Sequence, residues 1–218
     1  MKKKVLAIAL AVALLAVAVT GSLAWFTDSD KATNTFTVGS IEIDLVEDFT
    51  APKAMLPVVN VDNPEADPNF INKDAWVENE GKNPAYVQLL VAVPKVLDNA
   101  GAFHIVDGDM NAWNKVGFVG ETNIGTTVYN VYRYTYNYRL EVGTNTAFAI
   151  TGAYLDAKLD YNNETDRFVM DGVELTEYVP GTQIDVYVVA QAVQAEGFAD
   201  AESALNAAFG NTIPEFQS

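Results

Sequence analysis

From Ala85 to Val93 an apolar residue stands at every second position, Ala85, Val87, Leu89, Val91 and Val93, with Asn83-Pro84 before the run and Pro94 at its end. A period of two is the period of a strand, so one face of this segment belongs to a core, and proline bounds it because proline cannot donate to a ladder. The same period recurs. Ile184, Val186, Val188, Ala190 and Ala192 alternate within Gln183–Gln194, and Val128, Tyr132, Tyr134, Tyr136, Tyr138 and Leu140 share one face of Thr126–Glu141, with Arg133, Thr135, Asn137 and Arg139 on the other. A chain patterned this way folds as β-structure.

Turn chemistry divides the rest. Asp74–Asn79 and Ala85–Val93 around Glu80-Gly81-Lys82-Asn83-Pro84 read as a hairpin, and Trp113–Val119 with Thr126–Glu141 around Gly120–Gly125 as a second. Arg167–Met170 and Val173–Tyr178 around Asp171-Gly172 read as a third, of the type I′ class that Asp-Gly favours. Ala147–Leu159 fits helix or strand by period; its β-branched and aromatic content, with Gly152 inside, favours a strand. Thr50–Asn72, carrying Pro52, Pro57, Pro64 and Pro68, is a long surface connection, and Val96–Asn111 a loop excursion. One mature helix is expected, Ala201–Phe209, capped by Asp200 and stopped by Gly210. About nine strands and one short helix, with no internal repeat, give an all-β fold. The expectation is an antiparallel two-sheet, jelly-roll-like sandwich with a short C-terminal helix closing one end.

The first 24 residues stand apart. Met1–Lys4 is basic, Val5–Val19 is fifteen residues without a polar side chain, and Thr20–Ala24 is rich in small residues. That is the layout of a secretory signal helix. At about 1.5 Å per residue the apolar run reaches only ~22 Å, short of a ~30 Å hydrocarbon core, which favours export over a permanent span. Small residues at Ser22 and Ala24 suit a signal peptidase, placing the new N-terminus at Trp25.

Downstream of that cut, Trp25-Phe26-Thr27-Asp28 leads through a polar stretch to Asn34-Thr35-Phe36-Thr37-Val38-Gly39-Ser40-Ile41-Glu42-Ile43-Asp44-Leu45. Two period-two sets, Phe36 and Val38, then Ile41, Ile43 and Leu45, are separated by Gly39-Ser40, a phase slip of the kind a bulge or bend produces. The pattern resembles the export and maturation region of the TasA and camelysin family. Asn83-Pro84-Ala85-Tyr86-Val87 and Ile184–Gln194 are similar to later strands of that family.

The resemblance implies a secreted subunit of extracellular matrix filaments. A dedicated signal peptidase would release it, and it would polymerise by donating its N-terminal strand to a neighbouring jelly roll. Carried onto this chain, residues 1–24 are the signal peptide, 25–35 the donor segment with Trp25, Phe26 and Asp28 as anchors, and 36–218 the sandwich, whose first-strand core is Phe36, Val38, Ile41, Ile43 and Leu45. The implied partners are copies of itself, the signal peptidase during maturation and an accessory or anchoring matrix protein, with membrane contact only before cleavage. Its place is the extracellular matrix or cell surface.

Composition bears on the alternatives. The signal holds three Lys and no acid, so the mature chain keeps 10 basic against 29 acidic residues, a net charge near −19. Such a surface repels phosphates, so no nucleic-acid partner is expected. There is no cysteine, which removes thiol catalysis, Fe–S clusters and zinc-thiolate sites. His104 is the sole histidine, so a two-histidine zinc helix cannot form. The camelysin branch carries a metallopeptidase label, and the residues offer no conventional ligand set for it. No catalytic residue, metal site or cofactor is expected.

Asp107-Gly108-Asp109-Met110-Asn111 begins like a calcium loop but has Ala112 in the glycine position and Phe118 in the bidentate glutamate position. Asn163-Glu164-Thr165 is a lone glycosylation sequon. Two alternatives to the filament subunit stay open: a secreted camelysin-like metallopeptidase, and a carbohydrate-binding sandwich that stacks sugars on Tyr132–Tyr138.

Overall fold

The computed structural model describes residues 27–30, 41–49, 55–60, 62–175, 177–178 and 182–216. Twelve strands and two α-helices lie among them. Thr27–Asp30 is β1, Ile43–Phe49 β2, Ile71–Asn79 β3, Ala85–Pro94 β4, Phe103–Asp107 β5, Trp113–Ile124 β6 and Thr127–Tyr136 β7. Ile150–Leu155 is β8, Asp160–Asn162 β9, Arg167–Met170 β10, Val173–Glu174 β11 and Tyr187–Gln194 β12; Lys95–Asn99 is α1 and Ala201–Ala208 α2. A five-stranded sheet runs β1-β12-β4-β7-β6 and a four-stranded sheet β2-β3-β8-β5, with a small satellite of β11-β10-β9. The fold is the antiparallel all-β sandwich that the alternation predicts. The signal helix expected over residues 1–24 lies outside the described residues.

The core fills the space between the two larger sheets. Val87, Leu89, Val91 and Val93 of β4, with Ala190 and Ala192 of β12, face Ala75 and Val77 of β3 and Ile150, Ala153 and Leu155 of β8. Trp113, fully buried, spans the gap and donates its indole N–H to the Ala147 carbonyl at 2.8 Å. Every residue of β4 is buried, because its other face is covered as well. There α2 packs on Tyr86 and Val193 through Ala201, Ala204 and Leu205, and Ile213 and Phe216 of the C-terminal tail lie against Leu90, Tyr129 and Val131. Arg133 holds the tail down by donating to the Gly210 carbonyl (3.0 Å) and to Asn211 Oδ1 (2.9 Å). The helix therefore lies over the outer face of the larger sheet near one end. Asp200 caps it as expected, accepting from Ser203 N at 2.8 Å.

Three expectations are corrected. β3 and β4 are not a hairpin: β3 pairs with β2 and β8, β4 with β12 and β7, and residues 80–84 carry the chain from one sheet to the other. Buried Asn79 fixes that crossing, its Nδ2 donating to the Asn83 and Leu140 carbonyls (both 3.0 Å) and its Oδ1 accepting from Gly81 N (3.0 Å). Val96–Asn111 is not simply a loop, since it contains most of α1 and all of β5. Gly120 is not a turn: β6 runs on to Ile124, and the register slips between Lys115 and Gly117 and between Phe118 and Gly120 mark two bulges. Gly120 gives room to the tail, since a Cβ there would sit 2.8 Å from Ile213 Cδ1. The Asp171-Gly172 hairpin forms as read, both residues at positive φ (48° and 83°), as a type I′ turn requires.

Candidate functional site

The edge strands of the two main sheets are β1, β6, β2 and β5, and they differ in how they close their sheets. β6 is kinked by its bulges, β5 is five residues long, and β2 carries exposed Asp44, Glu47 and Asp48. Bulges, shortness and charge are the devices that blunt a strand edge against pairing. β12, the strand that the short β1 lies on, has none of them. All eight of its residues pair with β4, from Tyr187↔Ala92 to Gln194↔Ala85, without a slip. On its other side, among the described residues, only Ala190–Val193 are paired, with β1.

β1 comes from the segment the sequence singles out. Its register sets Thr27 opposite Val193, Asp28 opposite Ala192, Ser29 opposite Gln191 and Asp30 opposite Ala190. Ala190 and Ala192 are fully buried and belong to the inter-sheet core. Asp28 and Asp30 thus occupy the core-side register positions of the strand, and Thr27 and Ser29 the outer ones.

The outer face of the same edge carries a polar pair that the sequence reading missed. Gln88 and Gln191, neighbours in register, are 1% and 6% exposed, and Gln88 Nε2 donates to Gln191 Oε1 at 2.7 Å. They separate the apolar cluster under α2 from the one under the tail. Gln88 Oε1 is buried with no hydrogen-bond partner among the described residues. The signal was present: each glutamine interrupts an otherwise apolar run, Val87-Gln88-Leu89 and Ala190-Gln191-Ala192.

The tyrosine row lines the core. Tyr134 is 1% exposed and donates its hydroxyl to Asp107 Oδ1 at 2.6 Å, while Tyr132 donates to Asp98 Oδ2 at 2.6 Å and Tyr138 stands exposed beyond the end of β7. Burial, then the bond to Asp98, pushes the Tyr132 hydroxyl up to about 12, and burial with Asp107 raises Tyr134 further. Lys115 Nζ bonds both Asp107 oxygens (3.0 and 3.1 Å) and lies over the Tyr132 and Tyr134 rings. Asp107 is therefore engaged by a tyrosine and a lysine. Gly108 follows because a Cβ there would overlap the Phe148 carbonyl.

Of the remaining expected site residues, Ile41 and Ile43 are buried in the core and Leu45 is half-buried against it. Ser22, Ala24, Trp25, Phe26, Phe36 and Val38 lie outside the described residues. His104 on β5 bonds Asp156 Oδ2 through Nε2 (3.0 Å) and stacks on Tyr154.

Residues 1–99 match the model of the camelysin metallo-endopeptidase family. Comparison with curated proteins gives no significant match. The metal that the family description implies finds no fitting donors among the described residues, where no three His, Cys, Asp or Glu side chains converge and the sole histidine is committed to Asp156. The match runs from the apolar N-terminal segment through β1, β2, β3 and β4 to the last residue of α1. It takes in every residue on which the N-terminal resemblance rests, and over residues 1–99, under half of the sequence, the chain is similar to that family.

Proposed function

We propose that the chain is an exported structural subunit, without catalytic activity, that assembles head to tail outside the cell by lending its N-terminal strand to the β12 edge of another copy. The observation that carries this reading is the coverage of β12: a regular eight-residue strand of which, among the described residues, only four are paired on the side away from β4, by a strand from the segment the cut behind Ala24 would free. A strand laid on such an edge gains main-chain hydrogen bonds along its length and pockets for alternate side chains.

In a single chain β1 closes its own sheet. The same pairing made with a neighbour replaces each contact by an identical one, which is the logic of a domain swap. Lys31–Ser40, ten residues, separate β1 from Ile41, and at ~3.3 Å per residue they can span up to ~33 Å, enough to reach an adjacent subunit. Donation from one copy to the next is heterologous and does not close on itself, so it gives filaments. Trp25 and Phe26 would anchor the released end, each worth about 1.5–3 kcal/mol if buried.

Electron microscopy of the chain beginning at Trp25, beside one beginning at Phe36, tests the proposal. Fibres from the longer chain alone are expected; fibres from the shorter one overturn it.

A further inference from the structure

We infer that Ala195, Phe198 and Ala201, where β12 turns into α2, form a ledge for the freed N-terminus of the chain, receiving the Trp25 ring with Glu196 beside its new ammonium. The inference rests on the reading of β12 as the assembly edge and names what lies at the end of that edge. It holds for a strand of the same chain or of a neighbour.

The register of β1 dictates where the residues before it can go. Thr27 stands opposite Val193, so the strand carried back two residues sets Phe26 opposite Gln194 and Trp25 opposite Ala195. Successive positions on a strand belong to opposite faces, and the two aromatics therefore part. Ala190 and Ala192 belong to the inter-sheet core, and Gln194, with Phe26 opposite it, continues that row. Val193 and Ala195 belong to the outer cluster under α2, which makes the position opposite Ala195 an outer one. A cut behind Ala24 leaves two residues ahead of Thr27. At ~3.3 Å each they reach ~7 Å, one step along the outer row and no further.

That step is apolar and built on small residues. Ala195 is 3% and Ala201 6% exposed, in one cluster with Tyr86, Val193 and Leu205. Phe198 N donates to the Ala195 carbonyl at 3.3 Å, a turn that brings half-buried Phe198 back to the margin of the same cluster. Methyl side chains beside one ring suit a second ring, and an aromatic pair gains more than the area it buries. Charge favours an N-terminal occupant. Cleavage would turn the Trp25 nitrogen from an amide into an ammonium, positive at neutral pH. It would arrive one residue from Glu196, an exposed carboxylate that pairs with Arg139 Nη2 at a long 3.4 Å while Arg139 is shared with Glu141. Exposed ion pairs contribute little, so the ring carries the binding and the charge selects a cut chain over an uncut one.

The absence of native cysteine lets the placement be read by cross-linking. In chains beginning at residue 25, oxidised Trp25→Cys/Ala195→Cys should cross-link several-fold more than Phe26→Cys/Ala195→Cys, whose positions lie on opposite faces. Gels run without reductant separate bonds within a chain from bonds between chains. The ring is followed by acrylamide quenching of tryptophan emission in the chain beginning at Trp25, with the signal of its Trp25→Phe variant subtracted to remove Trp76 and Trp113. Trp25 should be quenched several-fold less than free N-acetyltryptophanamide, and Phe198→Ala should return it toward the free value.

A Trp25–Ala195 yield no greater than the Phe26–Ala195 yield, or a Trp25 as open to quencher as the free amide, overturns the ledge. Shielding unchanged by Phe198→Ala places the ring elsewhere and overturns it too. Cross-links confined to single chains in every preparation overturn strand exchange while leaving the ledge standing. Should Phe198→Ala fail to fold, the ratio of the two yields and the quenching of the unaltered chain decide.

Discussion

Asp67 organises the long connection before β3 from a single carboxylate. Its oxygens accept from the main-chain N–H groups of Asn69 (2.9 Å), Asn60 (2.7 Å) and Val59 (2.8 Å). The Asn69 bond leads in holding its pKa below the ordinary aspartate value; burial opposes it, and the Asn60 and Val59 bonds add to the lowering. A carboxyl whose folded pKa is depressed contributes stability that is present above the unfolded value, near 3.8, and lost as pH falls through the folded one. Amide exchange at Val59 and Asn60 should therefore accelerate below pH ~3.8 ahead of the core strands. Asp67→Asn should abolish that pH dependence while loosening the loop at neutral pH. Tyr134 makes a different test: Tyr134→Phe removes a buried hydroxyl from a carboxylate, at a cost of about 1.5–3 kcal/mol read by urea unfolding. Lys115, still bonded to Asp107, keeps the loss toward the lower figure.

Among the elements, α2 and the tail form a third layer that the strand pattern alone does not announce. Leu205, 2% exposed, anchors α2 on Tyr86 and Val193, so Leu205→Ala should cost about 2–5 kcal/mol in denaturant unfolding through transfer and cavity effects together. β8 carries its own constraint, since a Cβ at Gly152 would meet the Phe70 ring and the Ile71 carbonyl. Gly152→Ala should destabilise by about 1–3 kcal/mol through overpacking, where an exposed strand glycine would gain from the same change.

β4, β7 and β12 were legible because alternation shows directly which face of a strand is buried, and β10 because the Asp171-Gly172 turn marks its end. Partners were not, because alternation says nothing about the sheet a strand joins: β3 and β4 look like a hairpin until Asn79 is seen to hold a crossing between sheets. β5 and α1 escaped for want of length, five residues each. The Gln88–Gln191 pair escaped because its members are 103 residues apart, although each is visible as a polar break in an apolar run.

For the whole molecule, charge sets the conditions under which copies can meet. The full sequence carries a net charge of −16, and the signal removed would leave it more negative, so neighbouring subunits repel. Screening shortens that repulsion to a Debye length of ~8 Å at 0.15 M ionic strength and ~3 Å at 1 M. Assembly of the Trp25 chain, followed by light scattering, should accelerate with added salt. A decline would point instead to ion pairs between copies as the attractive force.

The two bulges in β6 bear on the shape of any polymer built this way. Kinked at Gly117 and Gly120, that margin of the larger sheet is a poor template for an incoming chain, whereas the β12 margin is a straight one. On the proposed assembly each molecule would have one receiving side and one giving end, so a row of them would have a front and a back. It would grow as an oriented string whose two tips differ chemically, one displaying an unused leader and the other an unfilled seam.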